Sequence, residues 1–186
     1  MSRLVVYSDD GQKQSAILKD HAQISLTLAK LGVRFEQWQA NADLPVNAEQ
    51  QDVLTAYKKD VEQLNNEYGF QSVDVVSLRP DHPQKEEMRQ KFLAEHVHSD
   101  FEVRFFVDGS GLFYLHVNDK VYVVLCEQGD LISVPANTTH WFDMGSAPDF
   151  KCIRLFVIPE GWVGEFTGND IVKRFPTYDQ FVVETA

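Results

Sequence analysis

The apolar positions of this chain change their period about halfway along. In "RLVVYSDD" a short apolar run closes on a turn, which predicts a strand. In "SAILKDHAQISLTLAKLGVRFEQW", Ile17, Ile24, Leu28 and Leu31 recur at helical spacing; Gly32 can end that helix, and "RFEQW" reads as a strand. A second helix is predicted in "NADLPVNAEQQDVLTAYKKDVEQLNNEYG". Val53, Leu54, Tyr57, Val61 and Leu64 line one face of it, with Gly69 beyond its end. "SVDVVSLRP" is strand-like, and "DHPQKEEMRQKFLAEH" is a third, charged helix or loop.

From residue 96 the period falls to two. "EVRFFVDGSG", "LFYLHVND", "KVYVVLCEQGD", "LISVPANTTHWFDMG" and "FKCIRLFVIPEG" follow one another as short strands. They are rich in Val, Ile, Phe and Tyr and are separated by Gly, Asn, Asp or Pro, the pattern of a sandwich or barrel. The "GSG" between the first two reads as a tight turn and is no dinucleotide fingerprint. The tail "GWVGEFTGNDIVKRFPTYDQFVVETA" adds aromatics and one more short element. The reading is one mainly β domain over residues 1–186. A helical N-terminal portion, about 1–90, packs on a β-barrel, about 70–160, with a short C-terminal extension.

A chain of 186 residues can bury a core without staples. A net charge of −11 excludes a nucleic-acid partner and an anionic membrane surface, since both call for a basic face. No stretch has the apolar length of a membrane helix, and "MSRLVVYSDDGQ" lacks the apolar core of a signal peptide. The two cysteines, Cys126 and Cys152, sit in apolar runs and are expected to be buried thiols in a reducing cytoplasm. The expected protein is cytoplasmic and monomeric.

The candidate chemistry lies in "EHVHSDFEVRFFVDGSGLFYLH". If residues 96–104 run extended without a bulge, His96, His98, Glu102 and Arg104 share one face, with Val97, Phe101, Val103 and Phe105 on the other. Polar groups gathered on one side of a buried strand need a reason, and a metal ion supplies it. Imidazole and carboxylate suit divalent iron, nickel, manganese or zinc. His140 in "GDLISVPANTTHW", carried back by a two-stranded return, is the expected third imidazole. An octahedral ion would keep two positions for water or substrate, the mark of a catalytic site. The isolated His21, His82 and His116 read as hydrogen-bonded or surface residues, with His116 expected to be exposed near a turn. Arg104, on the ligand face, is the candidate for holding a substrate oxyanion, because its fork of donors has fixed geometry.

"HVHSDFEVRFFVDGSGLFYLH" with "GDLISVPANTTHWFDMG" resembles the paired metal-binding motifs of cupins, and in detail the acireductone dioxygenases of methionine salvage. "IRLFVIPEGWVGEFTG" and the helical N-terminal half are similar to the bacterial branch. The resemblance implies a double-stranded β-helix (jelly roll) with one ion per chain, Fe(II) or alternatively Ni(II), on His96, His98, Glu102 and His140. It implies the substrate 1,2-dihydroxy-5-(methylthio)pent-1-en-3-one, cleaved with O₂ to 4-methylthio-2-oxobutanoate and formate in the iron form. The nickel form would give a 3-(methylthio)propanoate-type acid, formate and CO. The methylthio tail needs an apolar slot, for which Phe92, Phe105, Phe142 and Trp162 are candidates; strand parity assigns Phe105 to core packing instead. Glu95, beside the first ligand, is a candidate to orient it from behind. The rival expectations are another metal-dependent cupin (an isomerase, decarboxylase or different dioxygenase), a non-catalytic storage or sensor cupin, and a zinc hydrolase.

Overall fold

A computed structural model describes residues 1–186. The first half contains β1 (Arg3–Ser8), α1 (His21–Ala29), β2 (Arg34–Gln37), α2 (Gln50–Ala56), α3 (Lys58–Tyr68), β3 (Ser72–Leu78), α4 (Lys85–Leu93) and β4 (His96–Val97). The second half contains β5 (Glu102–Val117), β6 (Lys120–Glu127), β7 (Asp130–Val134), β8 (Thr139–Asp143), β9 (Phe150–Phe156), β10 (Glu165–Phe166), a 3₁₀ turn (Ile171–Arg174) and α5 (Tyr178–Glu184). No helix is long and apolar enough to cross a membrane.

All strand pairings are antiparallel and form two sheets that share β5. One sheet runs β1-β6-β5-β8-β4-β10, the other β2-β7-β5-β9-β3. Glu102 to Gly109 of β5 pair in the second sheet and Ser110 to Val117 in the first, so the chain turns a barrel corner inside one strand. Two devices make that corner. A register shift between Phe106 and Asp108 inserts a residue, and Gly109 adopts φ +67, where a Cβ would collide with the Asp149 carbonyl. The "GSG" is thus a bend within a strand and not a turn between two.

The inserted residue also reverses side-chain parity. Before it, Phe106 faces the barrel interior while Val103, Phe105 and Val107 face outward under α2 and α3. After it, Phe113 and Leu115 face inward while Leu112 and Tyr114 pack outward on Phe175 and Phe181. Three apolar layers follow: the barrel interior, the α2–α3 side, and the C-terminal side. Each fully buried Phe or Leu in them stabilises the fold by roughly 1.5–3 kcal/mol.

The barrel recruits more of the N-terminal portion than the helical reading expected: β1, β2 and β3 all pair into its sheets. Helix α1 starts only at His21, because Asp20 caps it by accepting from Gln23 N at 2.9 Å, while Leu18 bridges to Leu4 as extended chain. The second predicted helix is two. Tyr57 breaks it (φ −103, ψ 25), packing edge-on to Phe105 and accepting a hydrogen bond from Ala42 N. Gly69 ends α3 at φ +70, as expected. Helix α4 is pinned by Arg89, which forms a two-pronged pair with the fully buried Asp143 at 2.8 and 3.0 Å. The helix thereby carries Met88 and Phe92 against the barrel interior.

Candidate metal centre

The continuous strand expected for residues 96–104 is interrupted. His96 lies on β4, the backbone leaves the sheet over residues 98–101, and Glu102 opens β5 in the opposite sheet. The buried Asp100 holds this crossing, accepting from Phe101 N and Ile158 N at 2.7 Å each. The donors therefore converge from two sheets and not from one face of one strand. His140 comes from β8 directly opposite His96 in the ladder.

One ligand atom from each of His96, His98, Glu102 and His140 lies within 4.8 Å of the others, and all four residues are buried. Each imidazole has its Nδ1 on a backbone carbonyl: His96 on Ala94 (2.7 Å), His98 on Val163 (3.0 Å) and His140 on Thr138 (2.7 Å). A carbonyl only accepts, so Nδ1 carries the proton in all three rings and each Nε2 lone pair is left free. Two of those nitrogens face one carboxylate oxygen, Glu102 Oε2, at 2.9 Å from His98 and 3.1 Å from His140. Lone pairs facing an anionic oxygen repel unless a proton or a metal cation sits between them, and a metal ion can serve all of these contacts at once. Neighbouring ligands at right angles on an ion with bonds of about 2.1 Å would stand about 3 Å apart. The donor set therefore fits a divalent ion: this is a four-residue metal-binding site.

The electrostatics agree. Burial, followed by the neighbouring His140, pushes His96 down to about 4, which keeps it neutral and able to ligate. Burial also opposes the charge on His98 and on Glu102. In His98 the Glu102 carboxylate outweighs it and the pKa rises. In Glu102 the Arg104 charge and the two imidazoles outweigh it, and the carboxyl stays ionised well below its ordinary range.

Arg104 donates Nε to Glu102 Oε1 and spreads its guanidinium over Phe142 and Phe113, at 4.6 and 5.0 Å from the ring centres. Its Nη1 is buried without a hydrogen-bond partner. A cavity of about 390 Å³ opens beside it, lined by His96 and His98 and by Val76, Met88, Phe92, Arg104, Arg154 and Trp162 among others.

The remaining candidates divide. Phe92 and the half-exposed Trp162 line the cavity. Phe142 does not: its ring is buried beneath Arg104 and supports it. Phe105 is outward core under Tyr57 and Trp38, as parity required. Glu95 is buried, but its side chain forms no hydrogen bond with the His96 ring. It binds His116 Nδ1 (3.1 Å) and Thr167 Oγ1 (2.7 Å), tying the C-terminal segment to the barrel, so His116 is half-buried and paired instead of exposed. His21 stacks on Phe35 and meets Asp130 at 3.3 Å; His82 accepts from Gln84 N. Cys126 and Cys152 are free and buried. Sequence reasoning missed Arg154, Val76 and Met88 in the cavity. Arg154 had a signal, a basic residue flanked by apolar neighbours inside the strand "KCIRLF".

The model of the ARD/ARD' family matches residues 3–164. The chain belongs to this family. It is 57% identical over 182 residues to the acireductone dioxygenase of Aquifex aeolicus (strain VF5), covering 98% of this chain and 99% of that protein. To the acireductone dioxygenase of Methylococcus capsulatus it is 55% identical, covering 98% of both. Among solved structures it is similar to the Bacillus anthracis acireductone dioxygenase with a cadmium ion in its active centre. That match has a TM-score of 0.79 and 30% identity, covering 89% of this chain and 98% of that one. Family membership agrees with the barrel and the buried donor group, and the expected cupin jelly roll is the fold of this chain.

Proposed function

We infer that this protein is an acireductone dioxygenase, a metal-dependent enzyme that cleaves 1,2-dihydroxy-5-(methylthio)pent-1-en-3-one with O₂ in methionine salvage. The observation that carries the reading is the buried group of three Nδ1-protonated imidazoles and one carboxylate, in a chain 57% identical to a curated acireductone dioxygenase over nearly its full length. His96, His98, Glu102 and His140 are the proposed ligands, holding one ion per chain. Iron(II) is the proposed metal for the keto-acid and formate route, and nickel(II) for the route to formate, CO and a shorter acid. When bound, the ion supplies Lewis acidity that makes an ene-diol give up its protons.

The chain's own residues do the rest. Arg104, its Nη1 unsatisfied beside the cavity, is the proposed holder of a substrate oxygen; Glu102 and the rings of Phe113 and Phe142 keep its fork in place. Phe92 and Trp162, with Met88 and Val76, form the apolar wall proposed for the methylthio tail, where thioether and aromatic contacts are favourable. Phe142 acts from beneath Arg104 in this proposal. A monomeric, cytoplasmic enzyme remains the proposal for its state and location.

The test is elemental analysis of the purified protein together with identification of the products from acireductone under O₂. Keto acid plus formate supports the iron route, CO the nickel route. Unchanged acireductone with either metal would overturn the reading.

A further inference from the structure

Arg104 and Arg154 stand directly opposite each other on β5 and β9. Side chains so paired have Cβ atoms about 5 Å apart on one face of the sheet, and like charges placed there are destabilising. Here they are also mostly buried: Arg104 is 3% exposed and the Arg154 side chain 16%. Each is only partly neutralised. Arg104 gives Nε to Glu102, whose other oxygen is turned to the imidazoles. Arg154 gives Nε and Nη2 to Asp74 at 3.0 and 2.7 Å, which leaves its Nη1 without a protein partner. Both side chains line the same cavity as His96 and His98.

The charges sharpen the point. With a divalent ion in the metal-binding site, that ion and two guanidiniums face only the carboxylates of Glu102 and Asp74, leaving two positive charges in excess. An excess of that size along one wall of a cavity that opens to solvent beside Trp162 and Phe166 attracts a small anion or a pair of anionic oxygens.

We propose that Arg154 is a second anion-contacting residue of this cavity, and that the free edges of Arg104 and Arg154 together form a subsite for paired oxyanions. During turnover it holds the substrate oxygen left over once the two open positions at the metal-binding site are filled; after turnover it holds carboxylates of the product class and so makes them competitive inhibitors. The naming of that substrate oxygen rests on the acireductone reading. The existence of a carboxylate subsite does not.

The experiment is calorimetric titration of the metal-loaded protein with 2-oxobutanoate, a small 2-oxo acid, alongside steady-state kinetics of the same metal-loaded enzyme. Arg154→Met should weaken 2-oxobutanoate at least tenfold and raise KM for acireductone at least tenfold, with kcat within threefold and metal content unchanged. Arg154→Lys keeps a cation but loses the fork. It guards against misfolding of the methionine variant and should weaken the 2-oxo acid at least threefold. Asp74→Asn should keep affinity within threefold, because the guanidinium stays in place. The subsite is overturned if the unmodified protein fails to bind 2-oxobutanoate. It is equally overturned if either Arg154 variant binds as tightly as the unmodified protein, or if Asp74→Asn loses as much as Arg154→Met, which would make Arg154 only a structural partner of Asp74. Absence of acireductone turnover in the unmodified protein would sink the activity reading and leave the titration to decide the subsite.

Discussion

His96 and His98 share one carboxylate neighbour yet lean in opposite directions. Burial holds His96 down at about 4, whereas Glu102 lifts His98 above its ordinary value of 6.5. For His96 the folded protein binds fewer protons than the unfolded chain between about pH 4 and 6.5. Acidification through that window therefore removes stability, a loss on the order of 3 kcal/mol that is complete near pH 4. For His98 the sign is reversed: its contribution is full below the ordinary value and is lost as pH rises through its folded value. A metal must displace that His98 proton. Loading with nickel at about pH 6.5 is expected to release protons, seen as different calorimetric heats in buffers of different ionisation enthalpy, with affinity falling as pH drops. Equal heats in both buffers would contradict the raised His98. Glu102→Ala and His96→Ala are each expected to lose bound metal and turnover while keeping the far-ultraviolet circular dichroism of the parent; full activity in either would refute the ligand assignment.

The corner strand β5 brings the site residues to the interior. Glu102, Arg104 and Phe106 point inward before the bulge, and Phe113 and Leu115 after it. Without the inserted residue, one half of the strand would present its outward set to the core. Gly111 marks the point where the Phe142 ring crosses β5: a Cβ there would overlap the ring, which in turn supports Arg104. Gly111→Ala should therefore destabilise the protein by about 1–3 kcal/mol, measured by chemical denaturation, and lower activity by displacing Arg104. A variant as stable and active as the parent would show that Phe142 has room to move. The α2–α3 break belongs to the same class of tertiary decision. Helical periodicity runs through Tyr57, but the ring turns to meet Phe105 of β5, and the backbone follows.

For the protein as a unit, the metal-binding site links elements far apart in sequence. β4, the crossing at residues 98–101, β5 and β8 each supply donors, and the His98 ring is further tied to the Val163 carbonyl. An ion that binds only the folded arrangement stabilises all of them together. At a free metal concentration a hundredfold above Kd the gain is about 2.7 kcal/mol, a rise in Tm of roughly 5–10 °C for a chain of this size. Scanning calorimetry before and after chelation checks this, and an unchanged Tm would mean that the four donors hold no ion tightly.

The metal ligands were legible in the sequence because they belong to two short motifs whose residue types have few other reasons to be buried. The barrel class was legible because period-two patterning and turn residues act locally. Gly69 ended its helix as expected, since a left-handed residue is a local requirement. The linear pattern could not state how the ligands meet. Parity assumed one unbroken strand from His96 to Arg104, but the donors arrive from two sheets across a crossing held by Asp100. Nor could it show that Glu95 serves His116 and Thr167, that Phe142 lies under Arg104, or that Arg154 stands beside Arg104. Those relations are contacts between residues 21 to 72 positions apart, set by strand register. Local chemistry chooses the residue types and the elements. Only the pairing of strands decides which side chains share a cavity, because register is a property of two strands together and of neither alone.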